Sequence, residues 1–524
     1  MRITNSIMTN NTKTNINLNK VEADRLNTMV ASGQKITRPS DDPVIAIRAL
    51  RLNSSMSTLN QYYEKNIPDA SAWYKTTETA LTQTDTVITK IREQLTTGAS
   101  DENTAEDRTN ILEELKSLRD QIYASGNADY AGRTVFTGYR TGEMLTFLEK
   151  ETKQYRIYEP MTQEAAEKFT YVSGIQEINK DTLSGYVETD VDKHELYRVK
   201  LAYDKVDVLD EAGNPTSVYL RVSPNDGPYD TPAITASVVS IDGLTQAQLD
   251  ELYTGLDASG NPSATYTKPV VVAETGELLL DETDYNTLKA SNGFTAEYFK
   301  SEWVRNDLRP EHYFMCDSAG IEYNYNRIDP TTKEPVESGG DITGFKNQKI
   351  SYEVAFNQTI EINTNAGDVY KHGIGRDVDE LVALTKKVTD ADDKIRKVKE
   401  MMESYADDTP EYQQCQRMLD AANKERDLLK DDMQKAFAGA ITKFSKYQED
   451  LNDVISHVGS MRKRLEITEN RVQEQRQNFK ELSDQNINID LTESAIDLTS
   501  AKTALEAAQL AAGKISQQSL LNYI

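Results

Sequence analysis

From Leu52 to Ile91, small or apolar residues stand at Leu52, Met56, Leu59, Tyr63, Ala70, Trp73, Thr77, Ala80, Thr84, Val87 and Ile91. The steps alternate between four and three, with one polar slot at Asn66. This is a heptad seam on an α-helix. A helix from 43 to 98 with a single stripe needs a partner along its whole length. Beyond Pro43 in the first turn, Pro68 is the one proline inside it. Its missing N–H predicts a local kink. The stretch "TGASDENTAEDR", 97–108, reads as a turn and a capped restart. Ile111, Leu115, Leu118 and Ile122 then carry the seam onto a further helix.

A matching pattern lies at the other end. Leu451, Val454, Val458, Met461, Leu465, Val472 and Phe479 sit at three–four spacing. The stretch "SDQNINID", 483–490, breaks it, with Asp490 or Thr492 as candidate helix caps. Leu498, Ala501, Leu505, Ala508, Ala512 and Ile515 form a last seam rich in alanine, which lets a partner helix approach closely. Residues 388–435 read as a charged helical hairpin turning at "DDTP".

Between these regions the pattern changes to period two, as in "YVETDVDKHELYRVKLAYDKVDVL", 186–209. "PNDGPY", 224–229, and the two "GNP" stretches at 213–215 and 260–262 are turn signals. "LTQAQLDELY", 244–253, is a short helical island.

The predicted fold is mainly α with an inserted β-rich domain. A long antiparallel coiled-coil rod is built from N- and C-terminal segments, and a variable central α+β domain projects from it. The segments are 1–42, an N-terminal assembly helix and joint, and 43–140, the first half of the rod. The β-rich domain is 141–373. The second half of the rod is 374–482, with the hairpin near 388–435 inserted, and 483–524 is a C-terminal assembly helix.

The formal net charge is −26, from 59 Lys and Arg against 85 Asp and Glu. An acidic surface argues against nucleic acid, whose phosphates need clustered cations, and against a polybasic membrane contact. The two cysteines, Cys316 and Cys415, have neither disulfide-framework nor metal-site spacing. The first twenty residues lack a continuous apolar core, so a cleaved secretory signal is not expected.

Signals for catalysis are absent. His194 and Glu195 in "KHELYR" lack the second histidine four positions on that a helical zinc pair requires; Arg198 stands there. His312, His372 and His457 are scattered. There is no Gly-rich loop ending in Gly-Lys-Ser/Thr and no Gly-x-Ser-x-Gly elbow. No enzyme, cofactor or metal is expected.

The joint before the long helix reads "SGQKITRPSDDPVIAIRAL", 32–50. Gly33 is a helix stop; Ser40, Asp41 and Asp42 are capping types, and Pro43 suits a first helical turn. Through Ser32, Gly33, Ile36, Pro39, Ser40, Asp41, Asp42 and Pro43 this stretch resembles the bacterial flagellin family. "GRTVFTGYRT", 132–141, and the "PSDDP" spelling resemble its hook–filament junction branch, and "TESAIDLTSAKTALEAAQLAAGKISQQSLLNYI" resembles the family's terminal helix.

That resemblance implies a structural protein of the extracellular flagellum, exported unfolded through the flagellar type III route. It implies the partners hook-associated protein one, flagellin, further copies of itself in a ring, and a cytoplasmic export chaperone. The alternatives are the flagellin filament subunit itself and, more distantly, a secreted coiled-coil adhesin. The first helix, about 17–32, carries Leu18, Val21, Leu26, Met29 and Val30 and is too short to be stable alone. Leu18, Val21, Leu505, Ala508, Ala512 and Ile515 are therefore the expected assembly residues. Both termini are expected to order on stacking. Gly33, Arg38, Pro39, Ser40, Asp41, Asp42 and Pro43 form the expected joint.

Overall fold

The structure is a computed structural model. It describes residues 5–100, 103–210, 213–222, 234–257, 259–323 and 348–521, with side chains between 6 and 514 of that set. The turn expected at 224–229 lies outside the described residues. The chain divides into two compact units. One holds Met1–Ser71, Tyr352–Ile360 and Lys463–Ile524; the other holds Ala72–Ser351 and Glu361–Arg462.

The N-terminal helices are α1 (Asn5–Ser32), α2 (Pro43–Gln61), α3 (Ile67–Gly98) and α4 (Ala105–Ser125). Helix α1 starts well before residue 17, which corrects the shorter helix expected from its apolar positions. Its hydroxyls bond inside the helix: Thr12 Oγ1 donates to Met8 O at 2.8 Å and Thr14 Oγ1 to Asn10 O at 3.0 Å. Groups that otherwise compete for the backbone are thereby absorbed.

Between α2 and α3 lies a π turn, Tyr62–Asn66, closed by Ile67 N–H donating to Tyr62 O. The turn stands just ahead of Pro68, whose ring would meet the carbonyl four residues back in an unbroken α-helix. The seam expected from heptads is buried at Leu59, Ala70, Trp73, Thr77, Ala80, Thr84, Val87 and Ile91. Helix α4 restarts behind a capping box, with Thr104 N donating to Asp107 Oδ2 and Asp107 N to Thr104 Oγ1.

The second unit contains a ten-stranded sheet. Two short strands come first, β1 (Asp129–Tyr130) and β2 (Arg133–Thr134), which pair with each other. The large sheet uses β3 (Glu151–Met161), β4 (Ala166–Ser173), β5 (Asp192–Lys200), β6 (Ser217–Val222), β7 (Ile234–Val239), β8 (Val270–Val272), β9 (Glu277–Leu280), β10 (Phe294–Trp303), β11 (Met315–Ser318) and β12 (Ile321–Tyr323). Their order is β12-β11-β3-β10-β6-β7-β8-β9-β5-β4.

Among the described residues, only β7 and β8 pair in parallel, and the chain crosses between them through α5 (Gln246–Thr254), as a parallel pair requires. Helix α6 (Glu282–Ala290) follows β9. The sheet core includes Tyr155, Ile157, Leu201, Leu220, Leu278, Tyr298 and Trp303. "KHELYR" is strand β5, with His194 Nε2 2.9 Å from Ser173 Oγ on the neighbouring strand. A hairpin of β13 (Ser351–Ala355) and β14 (Gln358–Glu361) follows.

Helices α7 (His372–Met402), α8 (Pro410–Ile487) and α9 (Leu491–Leu521) complete the chain. The legs of the 388–435 hairpin are the end of α7 and the start of α8. Buried Val388, Ala391, Ile395 and Val398 on one leg match Cys415, Met418, Ala422 and Leu429 on the other. Lys394 Nζ bonds buried Glu425 at 2.8 Å between them. Helix α8 runs on through most of "SDQNINID" and stops at Ile487. Among the described residues, no helix is long and apolar enough to cross a membrane.

Candidate assembly site

The breaks at the two ends of the chain meet in the first unit. Gly33, at φ +72°, ends α1 with its N–H on Met29 O at 2.8 Å. A left-handed residue closes the last helical turn, and glycine adopts it without a Cβ penalty. Gln34 then pairs with Asn488 as an antiparallel bridge. Lys35 N donates to Ile487 O at 2.7 Å, and Ile489 N to Gly33 O at 3.1 Å. Lys35 Nζ adds a bond to Gln485 O at 2.6 Å, and Asn486 Nδ2 one to Ile45 O at 3.1 Å.

The rest of the N-terminal joint is a tight turn. Asp41 Oδ2 accepts from Arg38 N at 2.8 Å and Thr37 N at 3.1 Å. The Arg38 amide, then that of Thr37, hold the Asp41 carboxyl below its ordinary range. Asp42 caps α2, accepting from Val44 N at 2.9 Å and Ile45 N at 3.1 Å, with Pro43 in the first turn. Such a cap contributes roughly 1 kcal/mol. On the other side, Asp490 Oδ1 accepts from Thr492 N at 2.8 Å and Glu493 N at 3.1 Å, so Asp490 and not Thr492 caps α9.

Of the expected joint residues, Gly33, Asp41, Asp42 and Pro43 make these contacts. Arg38 contributes its amide, and its side chain is exposed, as are Pro39 and Ser40. Lys35, Gln485, Asn486, Ile487 and Ile489 were not expected here. The polar break "SDQNINID" is the sequence signal that the chain leaves its helix beside them.

Helices α1 and α9 pack on each other. Along α1 the sheltered positions include Thr12, Ile16, Asn19, Ala23, Leu26 and Val30; along α9 they are Ser494, Leu498, Ala501, Leu505, Ala508 and Ala512. Both sets keep heptad spacing. Asn19 Nδ2 reaches Ala504 O at 3.5 Å. Leu505, Ala508 and Ala512 thus face the seam, and the side chain of Ile515 lies outside the described residues.

Leu18 and Val21 do not join them: they are 62% and 67% exposed. Ile7 shares their face of α1, and Ile496 and Leu510 share an exposed face of α9. Val44, Ile47 and Leu50 on α2 are also exposed. Two helices that have satisfied each other on one side still offer apolar side chains on another.

Residues 3–141 match the family described as the bacterial flagellin N-terminal helical region. The chain is 28% identical over 142 residues to flagellar hook-associated protein 3 of Salmonella typhimurium, covering 27% of this chain and 44% of that one. It is 27% identical over 143 residues to a flagellin of Clostridium tyrobutyricum, covering 27% and 38%. A putative flagellar hook-associated protein from Vibrio parahaemolyticus, of known structure, aligns over 86% of this chain and 100% of its own at 14% identity, with a TM-score of 0.32. The matched region spans less than half the length of these curated relatives. The N-terminal region of the chain is therefore similar to the N-terminal helical region of bacterial flagellins.

Proposed function

We propose that this chain is a structural subunit of the bacterial flagellum, at the junction between hook and filament, and that its work is assembly rather than catalysis. The observation that carries the reading is the pairing of helices from both chain ends, which leaves Ile7, Leu18 and Val21 uncovered on one helix and Ile496 and Leu510 on the other. The similarity of residues 3–141 supports the flagellar setting. Copies stack through these outer faces into a ring. Hook-associated protein one lies on one side and flagellin on the other. Before export, a chaperone covers the same apolar residues in the cytoplasm, and the subunit leaves through the flagellar export route.

A deletion strain tests this, with electron microscopy of the cells and an assay of flagellin in the medium. Bare hooks with abundant soluble flagellin outside are the expected result. Intact filaments would overturn the proposal. The second reading, favoured by the relative named flagellin, is the filament subunit itself. It predicts bare hooks with the main filament protein missing from cells and medium alike.

A further inference from the structure

A cluster in the second unit takes no part in the helix pairing. Residues 145–147 run beside 306–309. Arg309 N donates to Leu145 O, Phe147 N to Asp307 O and Asn306 N to Phe147 O, each at 2.9 Å. This pairing sets Glu143 beside the short turn Pro310–His312. Glu143, Glu311 and His312 then bring one donor atom each within 4.8 Å of one another.

Glu311 and His312 are only 1% and 3% exposed. His312 Nε2 lies 3.1 Å from Met144 O. A carbonyl only accepts, so Nε2 carries the proton and Nδ1 presents a lone pair. That Nδ1 is buried without a hydrogen-bond partner, and so is Glu311 Oε2. Two buried acceptors left without donors are costly, and such groups ask for a missing partner.

The neighbouring arginines occupy the other carboxylate oxygens. Arg140 Nη2 donates to Glu143 Oε1 at 2.7 Å, and Arg309 Nη1 lies 3.5 Å from Glu311 Oε1. Both guanidiniums orient a carboxylate and leave its second oxygen available. Arg309 also reaches Glu151 at 3.6 Å, so three carboxylates stand against two guanidiniums.

We propose that Glu143, Glu311 and His312 bind a divalent transition-metal ion of the zinc class. One imidazole nitrogen with two carboxylate oxygens suits Zn²⁺, whereas Ca²⁺ and Mg²⁺ call for six or more oxygens. Glu143 is exposed and gives the ion a way in from solvent. The bound ion ties the loop after "GRTVFTGYRT" to the turn before β11. This holds whether or not the chain is a flagellar subunit.

Calorimetric titration of the full chain, stripped with chelator, against zinc chloride near neutral pH tests the site. One ion per chain is expected, undisplaced by a tenfold excess of Ca²⁺ or Mg²⁺. Glu143→Gln, at an exposed position that does not threaten the fold, should weaken binding by on the order of tenfold or more. His312→Gln should abolish it, and His457→Gln should leave it unchanged. Zinc should raise the melting temperature of the parent chain and not that of Glu143→Gln. No saturable uptake below about 100 µM, or uptake unchanged in Glu143→Gln, would overturn the proposal.

Discussion

Glu159 and Glu297 are both buried in the large sheet, and their surroundings set them apart. Glu297 accepts from Arg156 Nε at 2.8 Å and Arg221 Nη2 at 2.9 Å, so its charge is matched. Among the described residues, Glu159 accepts from neutral groups, Ala202 N and Tyr298 Oη, both at 2.9 Å, and the charge of Arg376 offsets its burial only in part. Desolvation therefore dominates and pushes its carboxyl up to about 7. A carboxyl raised in the folded state binds more protons there than in the unfolded chain. Its contribution is fully present below its ordinary value of 4.5 and is lost as pH rises through about 7. Glu159→Gln keeps an oxygen for both donors and removes the charge. Melting temperatures from pH 5 to 8 should fall more steeply in the parent chain than in the variant. The difference at the alkaline end should be of the order of 3 kcal/mol, at about 1.4 kcal/mol per unit. Parallel curves would mean that Glu159 is already matched by a charge.

At the scale of elements, the long seams were readable, because a heptad tolerates little else. Thr77 and Thr84 kept their places in a buried row by bonding Trp73 O and Ala80 O of their own helix, at 3.0 and 2.9 Å. The π turn was half legible: Asn66 marks the interruption, and its amide donates to Glu353 O at 2.7 Å. The sheet order was not legible. Strand β3 pairs with β10, Phe294 opposite Met161, and alternation alone cannot choose partners that distant in sequence. The joint was seen from one side only, since the pairing of Gln34 with Asn488 is a long-range fact. The same limit applies to the terminal helices: composition marks Leu18 and Leu505 alike, and the fold separates them. Leu505 faces α1 within the chain, whereas Leu18 faces outward. Leu18→Asp should therefore leave the helical content of the isolated chain unchanged and block association. Leu505→Asp should lower both. Circular dichroism with sedimentation velocity separates the two, and equal loss of helix in both variants would refute the assigned faces.

For the whole molecule, the decisive quantity is the net charge of −26. Copies of the chain repel at long range, while the exposed leucine, isoleucine and valine faces attract only at contact. Repulsion is screened over a Debye length of about 30 Å at ~0.01 M salt and about 3 Å at ~1 M. Apolar burial is not weakened by that screening. Raising the salt therefore removes the barrier and leaves the attraction. Association of the purified chain should grow with sodium chloride between about 0.01 and 1 M, read as a rising weight-average sedimentation coefficient. Leu18→Asp should stay dissociated throughout, since screening restores nothing once the contact is lost. Association that dissolves as salt rises would point instead to ion pairs as the adhesive. It would move the assembly surface away from the outer faces of α1 and α9 to the charged flanks of the same helices.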